Sequence, residues 1–277
     1  MEQVHSVTGG GGLTLSVREW GNADGPPILL IHGFSQCHLC WGAQLSSSLA
    51  GDFRLVALDL RGHGMSEAPL EPENYTDGKL WAGDIAAVID QLKLDRPVLV
   101  GWSYGGFIMA DYVKHYGQEK IGGINFVGAA VKMGSDEAMA MMGPGFLENI
   151  EDVRQPDLPT QITALRRFIR ACTVEPLGDD AFETALCYNM VVPWQVRLGL
   201  TSRELDYDDV LETLTVPALV THGTADRLVL LSMAEHIVRT VPGAEQSFYE
   251  DVGHVPFVED IDRFNEELRS LTSRANA

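Results

Sequence analysis

Short apolar runs alternate with longer amphipathic stretches along most of this 277-residue chain. The runs predict strands, and the first two are almost continuously apolar, as is typical of strands buried on both faces of a sheet. The amphipathic stretches have the length and apolar spacing of helices. Strands separated by helices predict an α/β fold with a mostly parallel central sheet flanked by helices. The predicted strands cover residues 27–31, 55–59, 97–100, 124–127, 217–221 and 246–249, and the predicted helices residues 41–49, 79–92 and a stretch from Phe107.

The N-terminal segment has a different pattern. Residues 4–8 and 13–20 predict two further strands. Four glycines at residues 9–12 join them. This glycine run lacks both the Gly-Lys-Ser/Thr ending of a phosphate loop and the spacing of a dinucleotide fingerprint, so it is interpreted as a hairpin turn. The sequence implies no cofactor.

The strand–helix alternation stops between residues 132 and 214. Helical segments are predicted around residues 160–172, 181–191 and 194–200, and prolines separate them. An all-helical insertion between two sheet strands is expected to form a cap on the sheet domain. The predicted organisation is therefore a core of residues 1–131 and 215–277 with a helical cap of residues 132–214.

Composition narrows the classes of partner. The hydrophobic fraction of 45% and the charged fraction of 21% are ordinary for a globular protein, but the net charge is −19. Such a charge disfavours nucleic acids and anionic membranes as partners. No apolar run reaches the ~18 residues that span a bilayer, and the polar first residues do not resemble a signal peptide. A cytoplasmic protein that acts on a small molecule is expected, and the oligomeric state stays open.

Four cysteines provide one close pair. Cys37 and Cys40 flank His38, whereas Cys172 and Cys187 lie far downstream. A zinc site would need a second close pair, and a thioredoxin-like redox motif would follow a strand in a βαβ unit. Neither condition is met, and no His-Glu-x-x-His motif is present. Reduced thiols are expected, and no metal site is predicted.

A serine lies at the junction between a predicted strand and the helix that follows it. Residues 101–106 read Gly-Trp-Ser-Tyr-Gly-Gly. A serine on such a sharp turn projects its hydroxyl away from the sheet and takes a strained backbone conformation with φ > 0. Glycines are needed two positions before and after it, because a Cβ there would collide with the turned backbone. Ser103 is therefore predicted to be a nucleophile.

A serine hydroxyl needs an imidazole that takes its proton and a carboxylate that orients the imidazole. Asp226 lies just after the strand at residues 217–221, and His254 follows the strand at residues 246–249. Loops at the carboxyl ends of parallel strands gather at one edge of the sheet, where ligands bind. Ser103, Asp226 and His254 are thus predicted to meet at that edge.

The order Ser, Asp, His along the chain is the order of the α/β-hydrolases, and the chain resembles this family over residues 26–271. Further matches are His-Gly-Phe at residues 32–34 and Asp-Leu-Arg-Gly-His-Gly-Met-Ser at residues 59–66. The resemblance implies the α/β-hydrolase fold and an oxyanion hole formed by the backbone N–H groups of Phe34 and Tyr104. Because Tyr104 begins a helix, the helix dipole would add positive potential there.

Other histidines and carboxylates compete for the catalytic roles. His63 is the main alternative base, but it lies in a tight turn, and His32 and His222 are expected to be structural. Asp59 is the main alternative acid, but it precedes the serine in the chain, against the family order. Asp251 is too close to the predicted base in sequence to orient it.

The combined prediction is a serine hydrolase that cleaves carboxylic esters of small to medium apolar substrates through an acyl-enzyme. Three alternatives stay open: hydrolysis of C–C bonds in meta-cleavage products, cofactor-free perhydrolase or haloperoxidase chemistry, and a ligand-binding receptor on the same scaffold. An aspartate-nucleophile reaction is excluded by the serine. The candidate pocket residues are Phe34, Trp102, Tyr104, Trp194 and Met141.

Overall fold

The structure, a computed structural model, describes residues 2–276. An eight-stranded sheet forms its centre, with the strand order β1-β2-β4-β3-β5-β6-β9-β10. Strand β2 is antiparallel to β1 and to β4, and all other neighbouring strands are parallel. The strands are β1 (Gln3–Thr8), β2 (Thr14–Gly21), β3 (Pro27–Ile31), β4 (Arg54–Leu58), β5 (Val98–Trp102), β6 (Gly123–Val127), β7 (Lys132–Met133), β8 (Leu205–Asp206), β9 (Ala218–Gly223) and β10 (Glu245–Tyr249).

Helices cover the sheet and fill the segment between β6 and β9. Helices α4 and α5 pack against each other, while α13 packs on β9 and α15 on β6. The helices are α1 (Gly42–Leu45), α2 (Leu49–Asp52), α3 (Glu73–Thr76), α4 (Gly78–Gln91), α5 (Gly105–Tyr116), α6 (Asp136–Ala140), α7 (Pro144–Leu147), α8 (Ile150–Val153), α9 (Leu158–Ala171), α10 (Asp179–Val191), α11 (Trp194–Thr201), α12 (Asp208–Leu211), α13 (Leu231–Thr240), α14 (Pro256–Glu259) and α15 (Ile261–Ala275). Two 3-10 turns cover Gly10–Gly12 and His38–Trp41.

The predicted buried strands are confirmed. Every residue of β3, β5, β6 and β9 is buried. Such strands have neighbours on both sides and helices on both faces, which is why their sequences are continuously apolar instead of alternating. The mostly parallel sheet flanked by helices is therefore the observed fold, as predicted.

The single helix predicted over residues 41–49 is wrong. A 3-10 turn, α1 and α2 replace it, with a break at residues 46–48. Three consecutive serines occupy the break, and the Ser46 and Ser47 hydroxyls donate to the carbonyls of Gly42 and Gln44, both at 2.7 Å. Serine side chains compete in this way for the backbone hydrogen bonds that a continuous helix would use.

The predicted cap, residues 132–214, contains α6 to α12 but is not wholly helical. Strands β7 and β8 form a two-stranded antiparallel sheet in which Lys132 pairs with Asp206 and Met133 with Leu205. The strands lie near the two ends of the insertion, where the chain leaves the core and returns to it. Each is only two residues long, which is too short to give a periodic signal in the sequence.

The glycine run at residues 9–12 forms a turn held against α4. The Gly10 N–H donates to Asp84 Oδ1 at 2.8 Å, and its carbonyl accepts from Arg61 at 2.8 Å. Arg61 in turn makes two hydrogen bonds of 2.7 Å to the Asp84 carboxylate. A Cβ on Gly10 would lie 2.3 Å from the Leu80 carbonyl oxygen, so only glycine fits. The turn thereby ties the edge of the sheet to the loop after β4.

Within residues 2–276, no helix combines the length and the apolar character needed to cross a membrane.

Candidate active site

Ser103 lies on the turn between β5 and α5 and has a positive φ of 55°. A Cβ on Gly101 would lie 2.7 Å from the Gly105 carbonyl oxygen, and one on Gly105 would lie 2.8 Å from a carbonyl of β3. Both positions therefore require glycine, for the reason given by the sequence. The serine itself is only partly buried, so its hydroxyl is presented at the carboxyl edge of the sheet.

Asp226 and His254 form a hydrogen-bonded pair at the same edge. His254 Nδ1 lies 2.7 Å from Asp226 Oδ2, and Oδ1 of this carboxylate accepts the N–H groups of Leu228 and Val229 at 2.8 and 3.1 Å. Burial raises the pKa of Asp226, but the His254 charge and these hydrogen bonds outweigh it and hold the pKa below its ordinary value. An ionised Asp226 accepts a hydrogen bond from the Nδ1–H group, and this tautomer of His254 has its lone pair on Nε2.

The serine turn and the histidine loop are joined through residues 127–130. The Ser103 N–H donates to a carbonyl at one end of this segment, and the Ser103 carbonyl accepts an N–H at the other, at 2.9 and 3.1 Å. Gly128 lies between them, where an added Cβ would be 3.1 Å from His254 Nδ1. The Trp102 indole donates to the His254 carbonyl at 2.9 Å. Residues 127–130 and Trp102 thus contact both the serine turn and His254.

The loop after β3 lies directly against Ser103. A Cβ on Gly33 would be 2.9 Å from the Ser103 Cβ, so this loop approaches the serine as closely as glycine permits. Phe34 follows it, and Tyr104 precedes the first residue of α5. In residues 2–276 neither the Phe34 nor the Tyr104 N–H donates to a backbone carbonyl. Both groups are thus available to an anion at the serine.

A narrow apolar cavity of about 20 Å³ opens at Ser103. It includes two of the predicted pocket residues, Phe34 and Tyr104, together with methionines and phenylalanines of the cap. A second apolar cavity of about 60 Å³ includes Trp102 and Val255, which adjoin the serine and the histidine in the chain. The Ser103 cavity is lined by Phe34, Ser103, Tyr104, Phe107, Ala130, Met133, Met142, Phe146, Phe168, Thr201, Leu228 and Val229.

Two predicted pocket residues lie elsewhere. Neither Met141 nor Trp194 lines these two cavities of the described chain. Met141 is buried, and its carbonyl accepts the Leu230 N–H at 2.9 Å. Its neighbour Met142 is the methionine that lines the Ser103 cavity. The methionine-rich composition of this segment indicated an apolar lining, but the sequence lacked a periodic pattern from which to tell one methionine from the next.

The competing histidines and Asp59 have structural partners. His63 Nδ1 lies 2.8 Å from the Arg61 carbonyl, and its Nε2 accepts the Ser35 N–H at 3.3 Å. Asp59 accepts the N–H and the ring Nδ1 of His38, both at 2.8 Å. His32, His63 and His222 are buried, and burial lowers the pKa of each, to about 4 for His32 and about 3 for His63. These groups shape the loops around the serine.

Cys37, His38 and Asp59 place possible metal-ligating atoms within 4.8 Å of one another. The Nδ1 atom of His38 is already hydrogen-bonded to the Asp59 carboxylate. Burial raises the pKa of the Cys37 thiol to about 12. A thiol with such a pKa stays protonated at neutral pH, whereas a metal ligand must be a thiolate. All four cysteines are free in this structure.

The chain is similar to known hydrolases. A family model described as alpha/beta hydrolase fold matches residues 26–261. The esterase RhEst1 from Rhodococcus sp. ECU1013 is 35% identical, with a TM-score of 0.92 and 98% of each chain covered. A thermophilic esterase from Thermogutta terrifontis is 25% identical, with a TM-score of 0.81 and coverage of 99% of this chain and 100% of its own. The non-heme haloperoxidase of Rhodococcus erythropolis is 26% identical over 96% of this chain and 98% of its own.

We expect Asp226→Asn to slow the labelling of Ser103 by a fluorophosphonate by about 10³- to 10⁴-fold, because an amide at this position favours the wrong imidazole tautomer. Labelling is measured by mass spectrometry of the intact protein. Asp251→Asn is the matched control, since Asp251 is an exposed carboxylate near His254 in sequence whose positive φ of 56° suits asparagine. Equal labelling rates in both variants would contradict the assignment of Asp226.

Proposed function

This chain belongs to the α/β-hydrolase fold family, and we propose that it is a serine hydrolase that cleaves carboxylic esters of small apolar acids. The observation that carries the proposal is the 2.7 Å hydrogen bond between His254 and Asp226, at the sheet edge where Ser103 has its positive φ. Nucleophile, base and orienting acid come from three different loops of one edge. A receptor has no need for all three groups, so their assembly supports turnover.

In the proposed reaction, His254 Nε2 takes the Ser103 proton as Oγ attacks the ester carbonyl. The carbonyl electron pair moves to the oxygen, which the Phe34 and Tyr104 N–H groups stabilise as an oxyanion. Collapse of this intermediate expels the alcohol, which takes the proton from His254. Water then repeats the sequence on the acyl-enzyme, giving the acid and free Ser103. Asp226 stays ionised and stabilises the imidazolium in both steps.

The cavity at Ser103 supports a small acyl group. Its lining is apolar, and its volume is about 20 Å³. This is little more than the space that one water molecule needs. Its lining includes Met142 and Phe146 of the cap and Phe34 of the loop after β3. Because Ser103 and both proposed oxyanion donors line this cavity, we assign it to the acyl chain. A long chain would require the cap to move.

A second candidate is perhydrolysis, favoured by the likeness to the non-heme haloperoxidase of Rhodococcus erythropolis. Hydrogen peroxide would replace water on the acyl-enzyme, so that one peroxide oxygen bonds to the acyl carbon, the Ser103–acyl bond breaks and a peracid leaves. The acylation half-reaction is unchanged. Peracid formation from acetate and peroxide at a rate above that of ester hydrolysis would favour this reaction over esterase activity.

We expect Ser103→Ala to lower kcat on p-nitrophenyl esters by about 10⁴-fold or more, because the triad acts as a unit. Initial rates are compared across the series from acetate to dodecanoate, and the wild-type chain-length optimum should disappear in the variant. Ser202→Ala, a change at an exposed cap serine, is the matched control. Retention of wild-type rates by Ser103→Ala would overturn the mechanism.

We expect the wild-type optimum to lie at acetate to butyrate and Met142→Ala to move it toward longer chains, because the substitution enlarges the acyl cavity. The measurement is kcat/KM for each ester of the same series. Met141→Ala removes the same volume beside the cavity and serves as the control, with an unshifted optimum. An unchanged optimum in Met142→Ala would place the acyl chain in another cavity.

A further inference from the structure

Arg197 is a buried cation without a carboxylate partner among the described residues. The side chain lies on α11 of the cap and is fully buried. Its guanidinium donates to four neutral groups at distances from 2.7 to 3.0 Å, and burial lowers its pKa to about 10, so it stays charged at neutral pH. The acceptors are Ser35 Oγ, the carbonyls of Val153 and Asn189, and Gln161 Oε1.

Burying a charged side chain costs desolvation free energy, which its hydrogen bonds must offset. Three of the four acceptors belong to the cap, where the guanidinium satisfies buried carbonyl and amide oxygens. The fourth acceptor, Ser35, belongs to the core loop after β3. Arg197 Nε donates to the Ser35 hydroxyl at 3.0 Å, so the cation links the cap to this loop.

Ser35 directly follows Phe34, whose N–H is one of the two proposed oxyanion donors. The backbone at Ser35 has a positive φ of 63°, an unfavourable conformation for a residue with a side chain. Three contacts hold it there. The Arg197 guanidinium donates to the hydroxyl, the hydroxyl donates to the Asn189 carbonyl of the cap at 3.4 Å, and the N–H donates to His63 Nε2 at 3.3 Å. The direction of the Phe34 N–H depends on the torsion angles of this strained loop.

The same helix also reaches the second donor. The Tyr104 hydroxyl donates to the Leu200 carbonyl of α11 at 3.0 Å. Helix α11 is seated closely on the core, since a Cβ on Gly62 would be 2.6 Å from the Val196 side chain and a Cβ on Gly199 would be 2.8 Å from Tyr75. One firmly packed cap helix thus contacts both segments that carry the oxyanion donors.

We propose that Arg197 is a positioning residue for the oxyanion hole, through which the cap sets the geometry and the positive potential of the loop that carries the Phe34 N–H. This inference rests on the proposed serine hydrolysis at Ser103. It assigns the cap a part in transition-state stabilisation in addition to its part in forming the substrate pocket. Its effect is expected on the chemical step, because the guanidinium is buried among protein groups and lines neither apolar cavity of the described chain.

The test compares wild type with Arg197→Met, Arg197→Lys and Ser35→Ala on the preferred p-nitrophenyl ester. In Arg197→Met we expect kcat to fall by about 10- to 100-fold with KM changed less than about threefold, as for misplaced groups that act in the transition state. Arg197→Lys keeps the charge and should recover part of the loss. Ser35→Ala removes the hydrogen bonds of this hydroxyl to Arg197 and to the Asn189 carbonyl but keeps the charge, and it should lose less than Arg197→Met. Arg167→Met, an exposed cap arginine, is the control and should match wild type.

A second readout separates positioning from a general loss of structure. A phenylboronic acid adds to a serine hydroxyl as a tetrahedral anion, so its inhibition constant should rise in Arg197→Met by the same factor by which kcat/KM falls. Thermal unfolding confirms that each variant is folded at the assay temperature, and Ser35→Ala carries the test if Arg197→Met does not fold. Unchanged kcat and boronate affinity in the folded variants, or a change in KM alone, would overturn the inference. A wild-type protein that neither hydrolyses esters nor binds the boronate would overturn the proposed function instead.

Discussion

The positive φ at Ser103 is the constraint on which the candidate active site depends. A turn this sharp is possible only because Gly101 and Gly105 have no side chains, and a Cβ on Gly101 would lie 2.7 Å from the Gly105 carbonyl oxygen. The surrounding groups are placed relative to this turn. Residues 127–130 are hydrogen-bonded to both sides of the serine, and Gly33 lies against its Cβ. The strain is tolerated because β5, the strand that leads into the turn, is fully buried and is paired on both sides with parallel strands.

In the loop after β4, polar residues of the types used in catalysis instead stabilise the fold through hydrogen bonds. Asp59 fixes the loop after β3 through His38, Arg61 pairs with Asp84 of α4, and His63 accepts the Ser35 N–H. Each group is buried and each has its partner, as buried polar groups must. Titratable residues close to a nucleophile therefore need a geometric assignment before they are given a chemical role.

Much of the fold could be predicted because its signals are local. The apolar runs identified the central strands, and the glycines around Ser103 identified the turn. Two features that could not be predicted depend on tertiary contacts: the short ribbon of β7 and β8, and the choice of Met142 instead of Met141 for the cavity. The break at the three serines after Leu45 has a local cause, the bonds of serine hydroxyls to nearby backbone carbonyls, which the apolar pattern does not show. The bond between Arg197 and Ser35 joins residues far apart in the chain, and neither has a sequence pattern that indicates it.

Two buried histidines near Ser103, His32 and His63, accept backbone hydrogen bonds only while their rings are neutral. His32 Nε2 accepts the Leu60 N–H and His63 Nε2 accepts the Ser35 N–H, and protonation of either ring would remove the lone pair that makes the bond. Burial lowers their pKa values to about 4 and about 3, so both acceptors survive well below the ordinary histidine value of 6.5. The unfolded chain binds these protons first as the pH falls below about 6.5, so the stability that they contribute declines in that range. Between about pH 6.5 and pH 4 both rings therefore stay neutral in the folded protein, and the two hydrogen bonds that they accept persist there.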